Sequence, residues 1–201
     1  MGQPSENAIE RHKLRMERET YLKETTMPLD GIDKGKIEGE TEEMRALREA
    51  NTEAAPPAQF FKLRAELLEQ GRSNQRVADT GNMWVNLKVY ASGGENGLHN
   101  HTDQDHFHLV LGGKACFHGP RGEEKICGPY EGIMLPSGSY YRFEAVGEDP
   151  LILLRVAAKT DQTEEHPRYN IYGKPLPSHL KENGGEIEII PRTGEFWGAA
   201  E

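Results

Sequence analysis

The chain changes character at residue 60, where charged sequence gives way to short apolar runs separated by glycine, proline, asparagine and aspartate. In the run 83–90 every second residue is apolar, which is the period of a half-buried β-strand. Further runs continue as far as residue 158, with no convincing helix between them: HFHLVL, KACFHG, EKICGPY, GIMLP, SYYRFEAV and LILLRVAA. Strands this short and this closely spaced predict an all-β sandwich or barrel over residues 56–158.

Residues 1–55 form a charge-dense arm that is poor in apolar side chains. Two stretches within it, residues 10–24 and 38–55, are helix candidates, but neither has an apolar stripe wide enough for a core of its own. We therefore expect a charged, partly helical arm, either solvated or packed on the barrel or on a second subunit. The sequence AAPP at 54–57 marks its boundary.

Residues 159–201 are polar and contain several prolines and glycines. Residues 186–191 are candidates for an edge strand, and GEFW at 194–197 brings two aromatic side chains that need a surface to dock on. We expect a C-terminal extension that packs on the barrel or on a partner subunit.

The formal net charge of −9 disfavours binding to nucleic acid or to acidic lipid surfaces. No stretch approaches the roughly 18 apolar residues of a membrane span, and the first residues carry no secretory signal. Two cysteines are too few for a disulfide-dependent fold. We therefore expect a cytoplasmic protein with no nucleic-acid or membrane partner.

Cys116 and Cys127 lie in runs that flank the sequence PRGE, which predicts a hairpin turn. If Arg121 and Gly122 form a two-residue turn, the two cysteines fall opposite one another. We expect two buried thiols rather than a bridge, because a disulfide across one strand pair is usually strained. On the same hairpin we expect His118 to be exposed.

Four of the eight histidines lie close together, in the segment LHNHTDQDHFHLVLGG. In extended backbone His99 and His101 point to the same face, because side chains alternate along a strand. A third donor several residues later can close that face after a bend. Imidazole nitrogen suits Zn, Fe, Ni, Cu and Mn, so the cluster predicts a divalent-metal site.

This segment resembles the first motif of the cupin superfamily, in which Gly and a short loop precede His-x-His, three or four residues, Glu, six residues and Gly. The second cupin motif is Gly, then Pro-x-Gly, two residues and His. The resemblance covers residues 60–158 and implies a cupin-type double-stranded β-helix, or jelly-roll barrel, with one divalent metal per chain (Fe, Mn, Zn, Ni or Co). The positions that carry it are Gly93-Gly94, His99, His101, His106, Gly113, Gly132, Pro136-Ser137-Gly138 and Tyr141.

Two positions depart from the cupin motifs. With three intervening residues the Glu position falls on Asp105, and with four it falls on His106. Strand parity and the ending VLGG favour His106 as the third ligand after His99 and His101, which leaves Asp105 to fix the tautomer of an imidazole. At the last position Tyr141 replaces the usual histidine. It is either a phenolate ligand or general base, if a cation lowers its pKa, or a structural tyrosine at the core edge.

Strand alternation selects further residues for the barrel cavity. Trp84 and Lys88 share one face of their strand, and His108 shares a face with His106. Arg155 interrupts the apolar run LILLRVAA, and a cation in such a strand is either paired or bound to an anion. We expect Lys88 and Arg155 to hold a substrate carboxylate or enolate, unless they extend to the barrel rim. His108 and Trp84 complete the expected substrate-binding set.

These residues predict a metal-dependent enzyme acting on a small organic molecule that bears a carboxylate or a carbonyl. Three imidazoles leave open positions on a metal. With Fe they support dioxygenase chemistry, and with Zn, Mn, Ni or Co they support lyase or isomerase chemistry, in which Tyr141 is the base or the acid. The alternatives are a non-catalytic cupin that binds a small molecule and a metal-free barrel. The outer apolar face (Phe107, Leu109 and Leu111) and the aromatic tail favour a homodimer.

Overall fold

The computed structural model describes residues 39–161, 168–176 and 187–200. The chain divides into two compact units, residues 1–61 and residues 62–201. Within the described ranges, no helix combines the length and the apolar character needed to cross a membrane.

The described part of the first unit contains one helix, α1 (Glu42–Thr52). Its N-cap is Thr41, whose side-chain oxygen accepts a hydrogen bond from the Met44 amide at 3.2 Å. None of its side chains is buried, in keeping with its thin apolar stripe. The prediction of a helix between residues 38 and 55 is confirmed, whereas the candidate at 10–24 lies outside the described residues.

The described part of the second unit is built from short β-strands, because its sequence alternates with period two between turn-forming residues. They are β1 (Arg64–Gln70), β2 (Arg72–Asp79), β3 (Met83–Tyr90), β4 (His99–His101), β5 (Gln104–Gly112), β6 (Ala115–His118), β7 (Glu124–Cys127), β8 (Gly132–Leu135), β9 (Arg142–Ala145), β10 (Leu151–Lys159), β11 (Arg168–Asn170) and β12 (Ile190–Gly198).

Ten of the strands form two antiparallel sheets that face each other across the core, and β1 and β12 form a separate antiparallel pair. The first has the order β2-β3-β10-β5-β8. The second contains β7-β6-β9 and the pair β4-β11, which are joined where the His99 amide donates to the Tyr141 carbonyl at 3.1 Å and the Tyr141 amide donates back at 2.9 Å. This strand order is that of a double-stranded β-helix, so the predicted all-β, cupin-type jelly-roll barrel is confirmed.

The interior between the sheets is filled by one face of each strand. Its buried side chains include Val110, Phe117, Phe143, Leu151 and Leu153. Each of these is at most 4% exposed, so the barrel encloses a packed core beside the functional cavity.

The C-terminal extension covers part of the outer face of the first sheet. β12 pairs antiparallel with β1, and Trp197 packs on the apolar cluster of Leu87, Val89 and Ile152. Of the two tail aromatics only Trp197 packs on the barrel, whereas Phe196 is 48% exposed, and the edge strand expected from residue 186 begins at Ile190. Phe107, on the same outer face, remains 38% exposed. The homodimer stays a prediction.

The β6–β7 hairpin has a three-residue turn, not the two-residue turn considered from the sequence. The Gly119 amide donates to the Glu123 carbonyl at 2.9 Å, and Gly122 has a φ of 87°, a conformation that favours glycine. The extra turn residue shifts the register, so Cys116 pairs with Ile126 and Cys127 pairs with Ala115. The expectation that the cysteines oppose one another is therefore wrong. The expectation of two free, buried thiols is confirmed.

Candidate functional site

A cavity of about 470 Å³ enters the barrel between the two sheets. Its described lining carries four cationic side chains and no carboxylate, although the chain as a whole is acidic. The lining residues are Arg72, Ser73, Asn74, Lys88, Tyr90, Asn96, His99, His101, Tyr141, Phe143, Arg155, Arg168, Ile187 and Ile189.

Strand register explains why these side chains meet. In the first sheet Arg155 of β10 lies opposite Asn86 of β3 and His108 of β5. The inward face of β5 therefore carries His106 and His108, while the sheet's outward face carries the apolar residues between them. From the second sheet, β4 adds His99 and His101.

The histidine rings are adjacent. The ring centroids of His99 and His101 are 5.1 Å apart, and those of His101 and His106 are 4.4 Å apart. The Nδ1 atom of His99 lies 2.6 Å from the carbonyl oxygen of Gly97. Because a carbonyl only accepts hydrogen bonds, Nδ1 carries the proton and Nε2 keeps the lone pair that a metal needs.

His106 is held by Arg155. The Nη2 atom of Arg155 lies 2.6 Å from Nε2 of His106 and donates to Oε1 of Gln104 at 3.0 Å. A guanidinium only donates, so Nε2 accepts and the proton sits on Nδ1, 3.3 Å from the Tyr141 hydroxyl oxygen. For His106 to bind a metal ion through Nε2, the guanidinium of Arg155 has to leave that nitrogen.

His108 lies deeper than the cavity lining. Its ring centroid is 5.5 Å from that of Tyr141, 5.6 Å from that of Phe143 and 6.2 Å from that of Phe117. Both of its ring nitrogens are buried without a hydrogen-bond partner, which costs roughly 1–3 kcal/mol for each unsatisfied group. His108 does not belong to the residues that line the cavity, so its expected contact with substrate stays a prediction.

The protonation state of the cluster suits a metal. Burial, with help from the Arg168 charge, lowers the pKa of His99 to about 3. Burial also lowers the pKa values of His101, His106 and His108 far below that of free histidine. All four rings are therefore neutral, which is the form that ligates a divalent cation. By donor type and protonation, the residues fit the predicted metal.

The ligand atoms of the histidine cluster do not converge on one point. Among the described residues, the group whose ligand atoms all lie within 4.8 Å of one another is Cys116, His118 and Glu144, which lies outside the cavity. The nitrogens of the histidine cluster are more widely spread, in line with the Arg155 contact on His106. His118 itself is 9% exposed, so the expectation that it is exposed on the hairpin is wrong.

Tyr141 keeps its proton. Burial raises the pKa of its hydroxyl to about 12, and this outweighs the lowering by Arg155 and Arg168. The expected lowering of this pKa by nearby cations is present but smaller than the effect of burial, and the roles of Tyr141 as phenolate ligand, general base or structural tyrosine stay predictions. At neutral pH Tyr141 presents a phenol, which can donate a proton or a hydrogen bond.

Asp105 points away from the cavity. It is exposed, and its Oδ1 accepts a hydrogen bond from the Ser137 amide at 2.7 Å. The expectation that it orients an imidazole is corrected, because strand alternation places it on the opposite face from His106. Its contact instead fixes the Pro136-Ser137-Gly138 turn, which precedes Tyr141.

Asp105→Ala is expected to lower the free energy of unfolding by about 1 kcal/mol, since it removes one charge-assisted hydrogen bond at an exposed turn. Asp105→Asn retains an acceptor oxygen and should lose less than half of that. Urea unfolding of the three proteins measures the difference. If Asp105→Ala instead lost metal affinity tenfold while its stability stayed unchanged, Asp105 would have the predicted role of orienting an imidazole ligand.

Of the remaining expected site residues, two line the cavity and one does not. Lys88 and Arg155 line the cavity, and the Nζ atom of Lys88 donates to the Tyr90 hydroxyl at 2.9 Å. Trp84 does not line it. This side chain lies toward the other end of its strand, with the Arg76 guanidinium 5.3 Å from the ring centroid, and its expected contact with substrate is corrected.

Two cations of the cavity lining, Arg72 and Arg168, were not predicted from the sequence. Arg168 reaches the cavity because β11, in the C-terminal extension, pairs with β4 and sets Arg168 opposite His101. Burial lowers the pKa of Arg168 to about 10, which leaves it charged at neutral pH. Arg72, the first residue of β2, lies opposite Tyr90 of β3. The Arg168 pairing joins segments that are distant in the chain, so the local sequence pattern does not predict it, whereas Arg72 lies on the strand that directly precedes β3.

No protein-family model matches this chain, and no curated protein matches it. Similar solved structures include a cupin superfamily protein from Desulfitobacterium hafniense, at 16% identity over 47% of this chain and 83% of that one, with a TM-score of 0.42. A sugar phosphate isomerase from a cupin superfamily, from Silicibacter pomeroyi, gives 23% identity, 54% and 82% coverage, and a TM-score of 0.43. A Klebsiella pneumoniae protein with a double-stranded β-helix domain gives 17% identity, 62% and 88% coverage, and a TM-score of 0.41. Likeness at these identities concerns the fold alone. By its own strand order, the chain is a cupin-type barrel.

Proposed function

We propose that the barrel cavity binds a small organic anion beside one divalent metal held by His99, His101 and His106, and that the protein is a lyase-, isomerase- or dioxygenase-type enzyme acting on that anion. The observation that carries this proposal is the charge of the cavity. Its described lining places four cations around neutral imidazoles with no carboxylate among them.

Physical chemistry favours an anionic ligand in such a cavity. A buried cation is costly unless a counter-charge or hydrogen bonds compensate it. Burial lowers the pKa of Lys88, the sign of an ammonium group that is short of compensation, and the Nε atom of Arg155 is buried without a hydrogen-bond partner. Three neutral imidazole ligands leave both positive charges of a divalent ion uncompensated. A ligand with one or two carboxylates, or a phosphate, supplies the charge that the lining lacks.

The side chains divide the chemical work. When bound, a divalent metal supplies Lewis-acid polarisation of a substrate oxygen or, as Fe, activation of O₂. Arg155 and Lys88 orient the anionic group, and Tyr141 holds a proton beside the His106 ring. The rings of Phe117 and Phe143, which pack around His108, make the inner end of the cavity apolar and keep water out of it.

A second candidate function is metal-free binding of the same anion. One observation favours it: the guanidinium of Arg155 occupies Nε2 of His106, the atom that a metal would take. Chelation separates the two candidates. Under the first, removing metal with EDTA lowers anion affinity and abolishes turnover. Under the second, anion affinity survives EDTA unchanged.

Arg155→Met is expected to weaken the binding of malonate or succinate by about 10- to 100-fold, because a hydrogen bond to a charged partner contributes roughly 1.5–3 kcal/mol. Isothermal titration calorimetry at fixed ionic strength measures the loss. Lys125→Met, which removes one charge from an exposed position on β7, is the matched control and should change affinity less than twofold.

Two outcomes contradict the anion proposal. In one, the unsubstituted protein binds neither dicarboxylate nor inorganic phosphate at millimolar concentration. In the other, neutral malonamide binds as tightly as malonate, which would assign the cavity to uncharged ligands.

A further inference from the structure

A second cluster of metal-binding side chains lies on the outer face of the second sheet. On β6, Cys116 and His118 point away from the core, because the alternating residues Ala115 and Phe117 point into it. Strand register sets Cys116 opposite Glu144 of β9. The ligand atoms of Cys116, His118 and Glu144 all lie within 4.8 Å of one another.

The imidazole of His118 lies between two carboxylates. Its Nδ1 is 3.0 Å from Oε1 of Glu124, which lies opposite it on β7, and its Nε2 is 3.0 Å from Oε1 of Glu144. A neutral imidazole has one N–H and can donate to only one of these oxygens. The second contact needs a positive charge between ring and carboxylate, supplied by an extra proton or by a metal ion.

The other members of the cluster favour the metal. Cys116 is 8% exposed and His118 is 9% exposed, so both are held against the sheet. The Oε2 atom of Glu144 accepts from Nη1 of Arg142 at 3.2 Å, which leaves Oε1 facing His118. Such a charged neighbour orients a ligating carboxylate. Sulfur, imidazole nitrogen and carboxylate oxygen are the donors that Zn²⁺ takes in four-coordinate sites.

We propose that Cys116, His118 and Glu144 form a Zn²⁺ site on the outer face of the second sheet, with water in the fourth position. Glu124 lies at the other ring nitrogen, Nδ1, where it accepts the N–H and so holds the ring with Nε2 facing Glu144. The site is separate from the cavity, since β6 presents Phe117 to the barrel interior and these ligands to the outside. Its protein ligands come from β6 and β9, so the ion ties these two strands together.

Titration of the full chain with Co²⁺ tests the site. A cysteine ligand gives a thiolate-to-cobalt charge-transfer absorption in the near ultraviolet, which a site of imidazoles alone does not give. In the unsubstituted protein we expect this absorption to saturate by two Co²⁺ per chain, one in this cluster and one in the cavity site of the proposed function, whereas in His101→Ala it should saturate at one. We also expect Zn²⁺ to displace the cobalt, and to raise the melting temperature on the order of 5 °C at a hundredfold excess over Kd.

Matched variants assign the ligands. Cys116→Ser should abolish the absorption, whereas Cys127→Ala, which alters the thiol that faces the core, should retain it. Glu144→Gln, at a partly exposed position, should weaken Co²⁺ binding at least tenfold and fold normally. His101→Ala should leave the absorption unchanged, so failure of the cavity metal and failure of this site are read separately.

The proposal is overturned if the unsubstituted protein shows no charge-transfer absorption. It is equally overturned if Cys116→Ser retains the absorption while folded, or if NMR shows both ring nitrogens of His118 protonated in saturating Zn²⁺. The last result would assign the cluster to an imidazolium clamped between two carboxylates.

Discussion

His101→Ala is expected to lower the affinity of the cavity for Zn²⁺ by more than about 100-fold. The reason is the place of His101 between its neighbours, with ring centroids 5.1 Å from His99 and 4.4 Å from His106. Replacing a residue that merely supports a metal ligand typically costs 10- to 100-fold in affinity, so removing a ligand should cost more. His99 and His106 alone leave two nitrogens, one of them shared with Arg155.

The measurement is the metal content after dialysis against buffered Zn²⁺, in a Cys116→Ser background that silences the outer cluster. The background protein should hold close to one Zn²⁺ per chain. His118→Ala is the matched control, since His118 is the described histidine that lies outside the cavity cluster, and it should leave this content unchanged. Absence of zinc from the background protein, with anion binding intact, would decide for the metal-free candidate, and equal zinc contents near one per chain would show that His101 is not a ligand.

Gly132→Ala is expected to destabilise the barrel by about 3 kcal/mol or more, at the upper end of what overpacking costs. A Cβ at position 132 would stand 2.0 Å from the carbonyl oxygen of His108 and 3.2 Å from the Cα of Leu109. Both atoms belong to the β5 backbone, so no side chain can rotate away. Relief requires β5 and β8 to separate where Gly132 pairs with Leu109, which also displaces His108.

Urea unfolding followed by circular dichroism measures this loss. Gly128→Ala is the matched control, because a Cβ there meets nothing closer than a Glu131 carboxylate oxygen at 3.8 Å. It should change the free energy of unfolding by less than about 1 kcal/mol. If the two variants unfold at the same urea concentration, the close approach of β8 to β5 is not as the structure describes.

Most of the barrel follows from a local property of the sequence. The run 83–90 coincides with β3, and LILLRVAA coincides with the first eight residues of β10. Alternation also places His106 and His108 inward and Asp105 outward, because a pleated strand leaves no other choice once its apolar face is assigned. The side of the sheet on which a residue lies is therefore predictable from the residues around it.

The remaining features of the site depend on strand register, on burial by several strands and on long-range pairing, which a local sequence pattern does not contain. One added residue in the β6–β7 turn changes the register, and a one-residue shift moves every side chain of a strand to the other face relative to its partner. This separates the two cysteines and sets Glu124 opposite His118. The raised pKa of Tyr141 reflects burial by several strands at once. Arg168 enters the cavity through a strand pairing across 67 positions of the chain.

The C-terminal extension gives the cavity a modular design. Arg168, Ile187 and Ile189 line the pocket, yet none of them belongs to the buried apolar core between the sheets. Changes at these positions escape the tight packing that constrains Val110 or Leu153. The lining that the extension contributes can therefore vary while the barrel core stays fixed, and exchanging the extension between related barrels should alter which ligand the cavity prefers.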